Sequence, residues 1–280
     1  MGASLQCRMP STRRIDSARN ALVKEVAALR TRRARDRTGR TLVEGLREAE
    51  RACESGLPLV WLLLSPELWP AGHREAAEAL REAAGARGAE VIELSSEAFG
   101  RLSLREHPDG VALVALDAAR GLDRLALPAD PLVLVLDGIE KPGNVGALLR
   151  TADAAGVDGV LVTGPGTDLR NPNVIRASMG SVFALPVASA SRPEALAWLR
   201  AAGLRVIAST PRAERAHWDA DYRGGVAVVL GSEHAGLPPA WLDTADQDVA
   251  IPMRARAADS LNVGVAGAVL LFEAMRQRRR

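Results

Sequence analysis

The sequence predicts an α/β protein in two parts: a small N-terminal α/β domain and a C-terminal α/β domain built on a parallel sheet. Three observations carry this. A chain of 280 residues has room for two domains at roughly 150 residues each. The apolar run Leu132–Leu136 is continuous, as in a strand buried on both faces. Apolar runs alternate with segments of helical period, the pattern of strands connected through helices.

Taken in order, Leu22, Val23, Val26 and Leu29 recur at helical spacing, so residues 17–30 read as an amphipathic helix. A short strand follows at Thr41–Val43, then a helix at Glu44–Glu54 ended by Gly56. An apolar run follows at Leu59–Leu64, then an alanine-rich helix at His73–Ala84, and Ala89–Leu94 and Val111–Leu116 read as buried strands. Residues 1–117 form the first domain. Residues 118–130, with Gly121 and Pro128, read as a linker, and 131–280 form the second domain. That domain has strands at Leu132–Leu136, Gly159–Val162, Val182–Val187, Leu204–Ala208, Val226–Leu230 and Asp248–Ile251. Helices are expected at Val145–Ala155, Pro193–Ala202 and Leu261–Arg278.

Composition removes several classes. With 48% hydrophobic and 25% charged residues the chain buries a core, which excludes a disordered protein. No apolar run approaches the ~20 residues of a membrane span, and Met1–Pro10 lacks the apolar stretch of a secretory signal. Cys7 and Cys53 make no disulfide framework, and no Cys/His cluster has zinc spacing, so the expectation is a cytoplasmic protein without metal. Net charge is only +2, yet residues 1–40 carry eleven basic and three acidic side chains, leaving +8 there and −6 elsewhere. A basic arm on an acidic body suits a polyanion partner or, equally, a solubilising tail.

In open parallel sheets ligands bind beyond the carboxyl ends of the strands. Three clusters lie there. Asp137-Gly-Ile-Glu-Lys-Pro-Gly-Asn144-Val-Gly146-Ala-Leu-Leu-Arg150 follows the first strand, with Asn144 expected as a helix N-cap and Gly143 and Gly146 allowing backbone to approach a ligand. Gly231-Ser-Glu233-His234-Ala-Gly236-Leu237 follows the strand ending at Leu230. Ile251-Pro252-Met253 and Ser260-Leu261-Asn262 precede the last helix. There is no Walker A motif, no G-x-G-x-x-G after the first strand of either half and no G-x-S-x-G elbow. His73, His107, His217 and His234 form no triad or metal set and mostly read as surface residues.

Together and in this order, the clusters resemble the three motifs of the SpoU/TrmH branch of SPOUT RNA methyltransferases, over about residue 130 to the C-terminus. Arg40-Thr-Leu-Val-Glu44-Gly45 and Pro108-Asp-Gly110-Val-Ala resemble that family's N-terminal substrate-binding domain, which is similar to an RNA-binding ribosomal-protein fold. The resemblance implies a 2′-O-ribose methyltransferase using S-adenosylmethionine, a deep C-terminal trefoil knot, and a homodimer whose active site is completed by the partner subunit. It implies a catalytic set of Arg150, Asn144, Glu233, Ser260 and Asn262, with Glu233 alternatively anchoring the knot loops. It implies cofactor contacts at Thr210, Gly231, Ile251, Met253 and Leu261. By the resemblance Arg150 is the base or binds the phosphate beside the target nucleotide. A guanidinium pKa above ~12 makes the literal base awkward. The gentler reading has Arg150 hold the phosphate, which then relays or accepts the proton, and the choice stays open. The Arg254–Asp259 loop is one residue longer than is usual between these motifs, and Val263-Gly264 stands for a more usual Val-Ser.

RNA contacts are expected from Arg30, Arg32, Arg33, Arg35, Arg37 and Arg40, from the basic end 276–280, and from Arg176, whose segment 171–181 resembles a family element near the active site. With 3% aromatic residues, recognition should rest on phosphates, shape and an extruded nucleotide. Ribosomal RNA, most naturally 23S, is the expected substrate. A tRNA methyltransferase and a catalytically idle RNA-binding or ribosome-assembly protein are the alternatives. The target nucleotide, and housekeeping against antibiotic protection, stay open.

Overall fold

The computed structural model describes residues 13–116, 121–166, 168–254 and 259–279. Cys7, Arg8, the start of the expected linker and most of the Arg254–Asp259 loop fall outside these residues. The chain divides into two compact units, Met1–Leu116 and Asp117–Arg280.

The first unit runs β1 (Arg13–Ile15), α1 (Ala21–Ala28), α2 (Arg32–Thr38), β2 (Arg40–Glu44), α3 (Leu46–Glu54), β3 (Leu59–Leu64), α4 (His73–Ala86), β4 (Glu90–Leu94), α5 (Ser96–Leu102) and β5 (Val111–Leu116). Its sheet has the order β1-β4-β3-β5-β2, with β5 antiparallel to both neighbours and the other pairs parallel. Val23, Val26 and Leu29 face inward with Phe99, Leu102, Ile92 and Val114, which explains the apolar period seen in the sequence. The expected helix 17–30 is shorter, because the Asn20 side chain caps α1 by accepting the Leu22 amide. A second helix the period did not reveal, α2, is capped by Thr31 and closed by left-handed Gly39. Glu44 belongs to the strand rather than the following helix, which begins after Gly45.

The second unit runs β6 (Leu132–Asp137), α6 (Pro142–Ala155), β7 (Gly159–Thr163), α7 (Pro172–Ala177), α8 (Ser181–Ala184), β8 (Val187–Ser189), α9 (Arg192–Ala201), β9 (Arg205–Ser209), β10 (Val226–Leu230), α10 (Pro239–Leu242), β11 (Gln247–Val249) and α11 (Val263–Arg278). All pairs in its sheet, β11-β9-β10-β6-β7-β8, are parallel. Leu132–Leu136 are fully buried, as a strand covered on both faces requires. The expected strand Val182–Val187 is a correction: Gly180 at φ +82° starts the short helix α8, and only Val187–Ser189 pairs with β7. Part of the expected linker also packs inward, since Leu125 is buried with Val133, Val135 and Leu161. Among the described residues no helix is long and apolar enough to cross a membrane, and no group of His, Cys, Asp or Glu is placed to hold a metal ion.

Close helix packing in this unit depends on glycine. A Cβ on Gly146 of α6 would come within 2.8 Å of the Ser178 amide nitrogen just after α7. Gly267 lets α11 lie against Leu148 of α6 and Leu230 at the end of β10. The role expected for Gly146, approach to a ligand, is therefore replaced by helix packing. α11 consequently returns from the β11 edge to α6, bringing the third cluster beside the first.

Candidate active site

Strand ends of β9 and β10 and the starts of α6 and α11 enclose a cleft of about 550 Å³. Its lining includes Thr210, Gly231, Glu233, Ser260, Leu261 and Asn262 from the expected set, and Lys141, Arg212, His234 and Asp259, which were not in it. The cleft sits beyond the carboxyl ends of the central strands, where open parallel sheets bind ligands.

Each site residue is held by local chemistry. α6 begins at Pro142, a position that suits proline, with Lys141 at the N-cap. Asn144 is therefore not the cap; it lies inside the first turn, and its side chain is free to bond elsewhere. Its Nδ2 donates to Glu233 Oε1, and its Oδ1 accepts from Asn262 Nδ2 at 3.1 Å. Asn262 caps α11, its Oδ1 accepting the Gly264 and Val265 amides at 2.9 and 3.4 Å. One polar chain thus joins all three sequence clusters, although they lie up to 118 positions apart.

Glu233 rides on a closed turn. The Gly236 amide donates to the Ser232 carbonyl at 3.0 Å, and the Ala235 amide to Ser232 Oγ at 3.1 Å. A Cβ on Gly231 would strike the Gly236 backbone, so the turn itself demands glycine at this cleft-lining position. On the other side, Asp137 at the end of β6 is buried and accepts from Thr163 Oγ1 at 2.7 Å and from Arg192 Nε and Nη2 at 2.8 and 3.1 Å. This two-pronged pairing raises the Arg192 pKa and anchors the root of the loop leading to Lys141 and Asn144.

Other expected residues are not brought to this cluster. Arg150 is exposed, six residues beyond Asn144 and so about 9 Å along the helix. Ile251 is half-buried and Met253 exposed, and neither lines the cleft. Ser260 lines it and is exposed.

Part of the basic segment has a structural task, which takes Arg35 out of the expected RNA-contact set and ties down Arg30 and Arg40. Arg35 is 2% exposed and donates to the Leu29 and Arg30 carbonyls at 2.9 Å, so no phosphate can reach it in the fold. Arg30 spends its guanidinium on the carbonyls of Arg101, Leu102 and Ser103. Arg40 pairs with Glu25 at 2.6 Å and stacks over Trp61 at 4.5 Å. Arg32 pairs with Asp36 at 3.7 Å on the surface, while Arg33, Arg37 and Arg176 are exposed. At the C-terminal end, Arg276 pairs with Glu273 and Arg278 donates to the Tyr222 and Gly224 carbonyls.

Comparison with known proteins agrees with this layout. The profile of the SpoU rRNA methylase family matches residues 131–272, and that of the MRM3-like substrate binding domain matches 20–113. A 23S rRNA (uridine(2479)-2′-O)-methyltransferase of Streptomyces viridochromogenes is 34% identical, over 97% of this chain and 94% of that protein. A 23S rRNA (guanosine(2553)-2′-O)-methyltransferase of Bacillus subtilis is 31% identical, over 93% of this chain and 98% of its own length. Among solved structures, an S-adenosylmethionine-bound rRNA methyltransferase from Sinorhizobium meliloti superposes with TM-score 0.85 at 32% identity, covering 95% of this chain and 98% of that one. An RNA 2′-O ribose methyltransferase superposes with TM-score 0.79 at 44% identity, covering 94% and 98%.

Proposed function

This chain belongs to the SpoU rRNA methylase family, and from that premise we infer that it is an S-adenosylmethionine-dependent 2′-O-ribose methyltransferase of ribosomal RNA, with 23S rRNA as its substrate. The observation that carries the reading is the hydrogen-bonded row Glu233–Asn144–Asn262 at the cleft. An idle descendant that only bound RNA would have no need of it. With ribosomal RNA as substrate, the protein works in the cytoplasm.

The cleft suits the cofactor. Its volume of about 550 Å³ lies within the range of small-molecule sites, ~300–1,000 Å³. Leu230, Leu237 and Leu261 give apolar walls, and the turn after Gly231 gives backbone groups able to read an adenine edge. Thr210 lines it as well, whereas Ile251 and Met253 serve only by a closer approach of their loop. When bound, S-adenosylmethionine supplies an activated methyl group.

The chain's task is to align a ribose hydroxyl with that methyl, since alignment alone is worth ~7–11 kcal/mol. Asn144, Glu233, Asn262 and Ser260 orient the ribose by hydrogen bonds. Arg150 holds the phosphate beside the target nucleotide, as a guanidinium fork does well. Arg150 is remote from the triad within one chain, which supports an active site completed by the partner subunit of a homodimer. The unpartnered face of α11, with Val265 51% and Phe272 45% exposed two turns apart, supplies the apolar surface for that dimer. Phe272→Asp should give monomers in sedimentation; a variant still dimeric would move the interface elsewhere. The return of the chain from β11 to Asn262, beside Asn144, supports the trefoil knot, which an experimental structure threading no loop would remove.

Exposed Arg33, Arg37 and Arg176 provide phosphate contacts. Labelled S-adenosylmethionine incubated with unmodified 23S rRNA and with tRNA tests the substrate. Label in rRNA, weakened at high salt, is expected; label in tRNA alone would overturn the assignment.

A further inference from the structure

Arg150 is exposed and has no hydrogen bond or ion pair to any described residue. A long side chain left to itself samples many rotamers, and holding it in one geometry costs conformational entropy. Packed beside it on α6 are α7 and α8.

Two contacts bracket Arg150 on that side. Gly146 lies against the backbone of Ala177 and Ser178, where α7 ends. Two turns further along α6, Asp153 Oδ2 accepts from Ser181 Oγ, at the start of α8, at 2.8 Å. Residues four and seven positions apart share a helix face, so Gly146, Arg150 and Asp153 make one stripe with Arg150 in its middle. Between the two contacts the opposing chain has only Met179 and Gly180, so its turn crosses α6 at the level of Arg150.

Met179 is half-buried, and with φ +52° it is the only non-glycine residue at positive φ among the described residues. The Gly180 amide donates to the Ile175 carbonyl at 3.0 Å and the Met179 amide to the Arg176 carbonyl at 2.9 Å. This pair of bonds closes α7 through a left-handed residue, a place that glycine usually takes. Glycine would adopt it without strain, whereas an L side chain there is disfavoured by its Cβ. Strain of this kind persists where the side chain serves a site. We propose that Met179 is a positioning residue for Arg150: its pliable thioether chain lies along the aliphatic stem of Arg150 and aims the guanidinium at the target phosphate. The proposal rests on the methyltransferase reading and on the phosphate-holding role of Arg150.

The test is single-turnover methyl transfer to unmodified 23S rRNA at saturating S-adenosylmethionine, well below the melting point of every variant. It compares the unsubstituted chain, Met179→Gly, Met179→Leu, Arg150→Ala and the double variant Met179→Gly/Arg150→Ala. Relief of strain offsets lost packing in Met179→Gly, so it should melt within about 4 °C of the unsubstituted chain. Its S-adenosylhomocysteine affinity by calorimetry should stay within about twofold, while its rate falls about 10–10²-fold through misplacement of the guanidinium. Met179→Leu, which restores apolar bulk, should recover most of the rate without any gain in stability. The double variant should be no slower than Arg150→Ala, since the two residues act as one unit. Full rate in Met179→Gly, a leucine variant as slow as the glycine one, or a double variant slowed by the whole glycine factor would overturn the positioning role. Undiminished methyl transfer by Arg150→Ala would overturn the task given to Arg150. Failure of the unsubstituted chain to methylate any 23S rRNA would overturn the methyltransferase reading itself.

Discussion

Asn262 is shared between fold and site: its oxygen holds the first amides of α11 while its nitrogen reaches Asn144. Asn262→Ala therefore removes both. Loss of an asparagine cap costs about 1 kcal/mol, which calorimetry should read as a melting point lower by roughly 2–4 °C, together with reduced methyl transfer. Activity lost with the melting point unchanged would mean that the cap contributes nothing. Elsewhere on α11, Glu273 is held down to about 2 chiefly by the hydrogen bond from Arg276, with Gln277 adding to it. A depressed carboxylate stabilises the fold above its ordinary value of 4.5 and loses that contribution as pH falls toward about 2. Glu273→Gln should lower the urea midpoint at pH 7 (~neutral, where the carboxylate is charged) and flatten its fall on acidification; parallel curves for the two proteins would refute the pairing. At this scale the sequence showed identity but not partners. Asn144, Glu233 and Asn262 could be singled out by their motifs, yet their mutual bonds span 89 and 118 positions and have no local signal. His234 read as a surface residue and is exposed, but nothing in one dimension says that its turn borders a cleft. Arg35 read as a phosphate ligand because charge patterning cannot reveal that a guanidinium caps the carbonyls of the preceding helix.

At the scale of elements, apolar period and length located most strands and long helices to within a few residues. Failures came where local chemistry overrode period. A polar cap at Asn20 shortened the expected helix to α1, and a cap at Thr31 started the unforeseen α2 just beyond it. A left-handed Gly180 turned an expected strand into α8. Packing between elements had a signal that was read for another purpose: Gly146 stood out as a glycine that lets a ligand approach, but the neighbouring backbone of Ala177 and Ser178 requires it. Gly146→Ala puts a methyl against the backbone of Ala177 and Ser178. The strain should cost about 1–3 kcal/mol, seen as a lower denaturation midpoint. An unchanged midpoint would show that α7 yields freely.

Across the whole molecule, the division into two α/β units and the parallel character of the second sheet were legible, because buried parallel strands are apolar throughout and their connections carry helical period. The mixed pairing of the first sheet was not, since β5 is as apolar as a parallel strand and only its partners reveal its direction. Nor could period alone show the path by which the last helix returns to α6, which is what assembles the site. The most direct test of the account is to map ribose methylation by mass spectrometry in 23S rRNA treated with S-adenosylmethionine and this protein, alongside Asn144→Ala. The account predicts one nucleotide whose 2′-oxygen carries the new methyl, and its absence with the variant. A methyl on a base, or an undiminished product from Asn144→Ala, would contradict it.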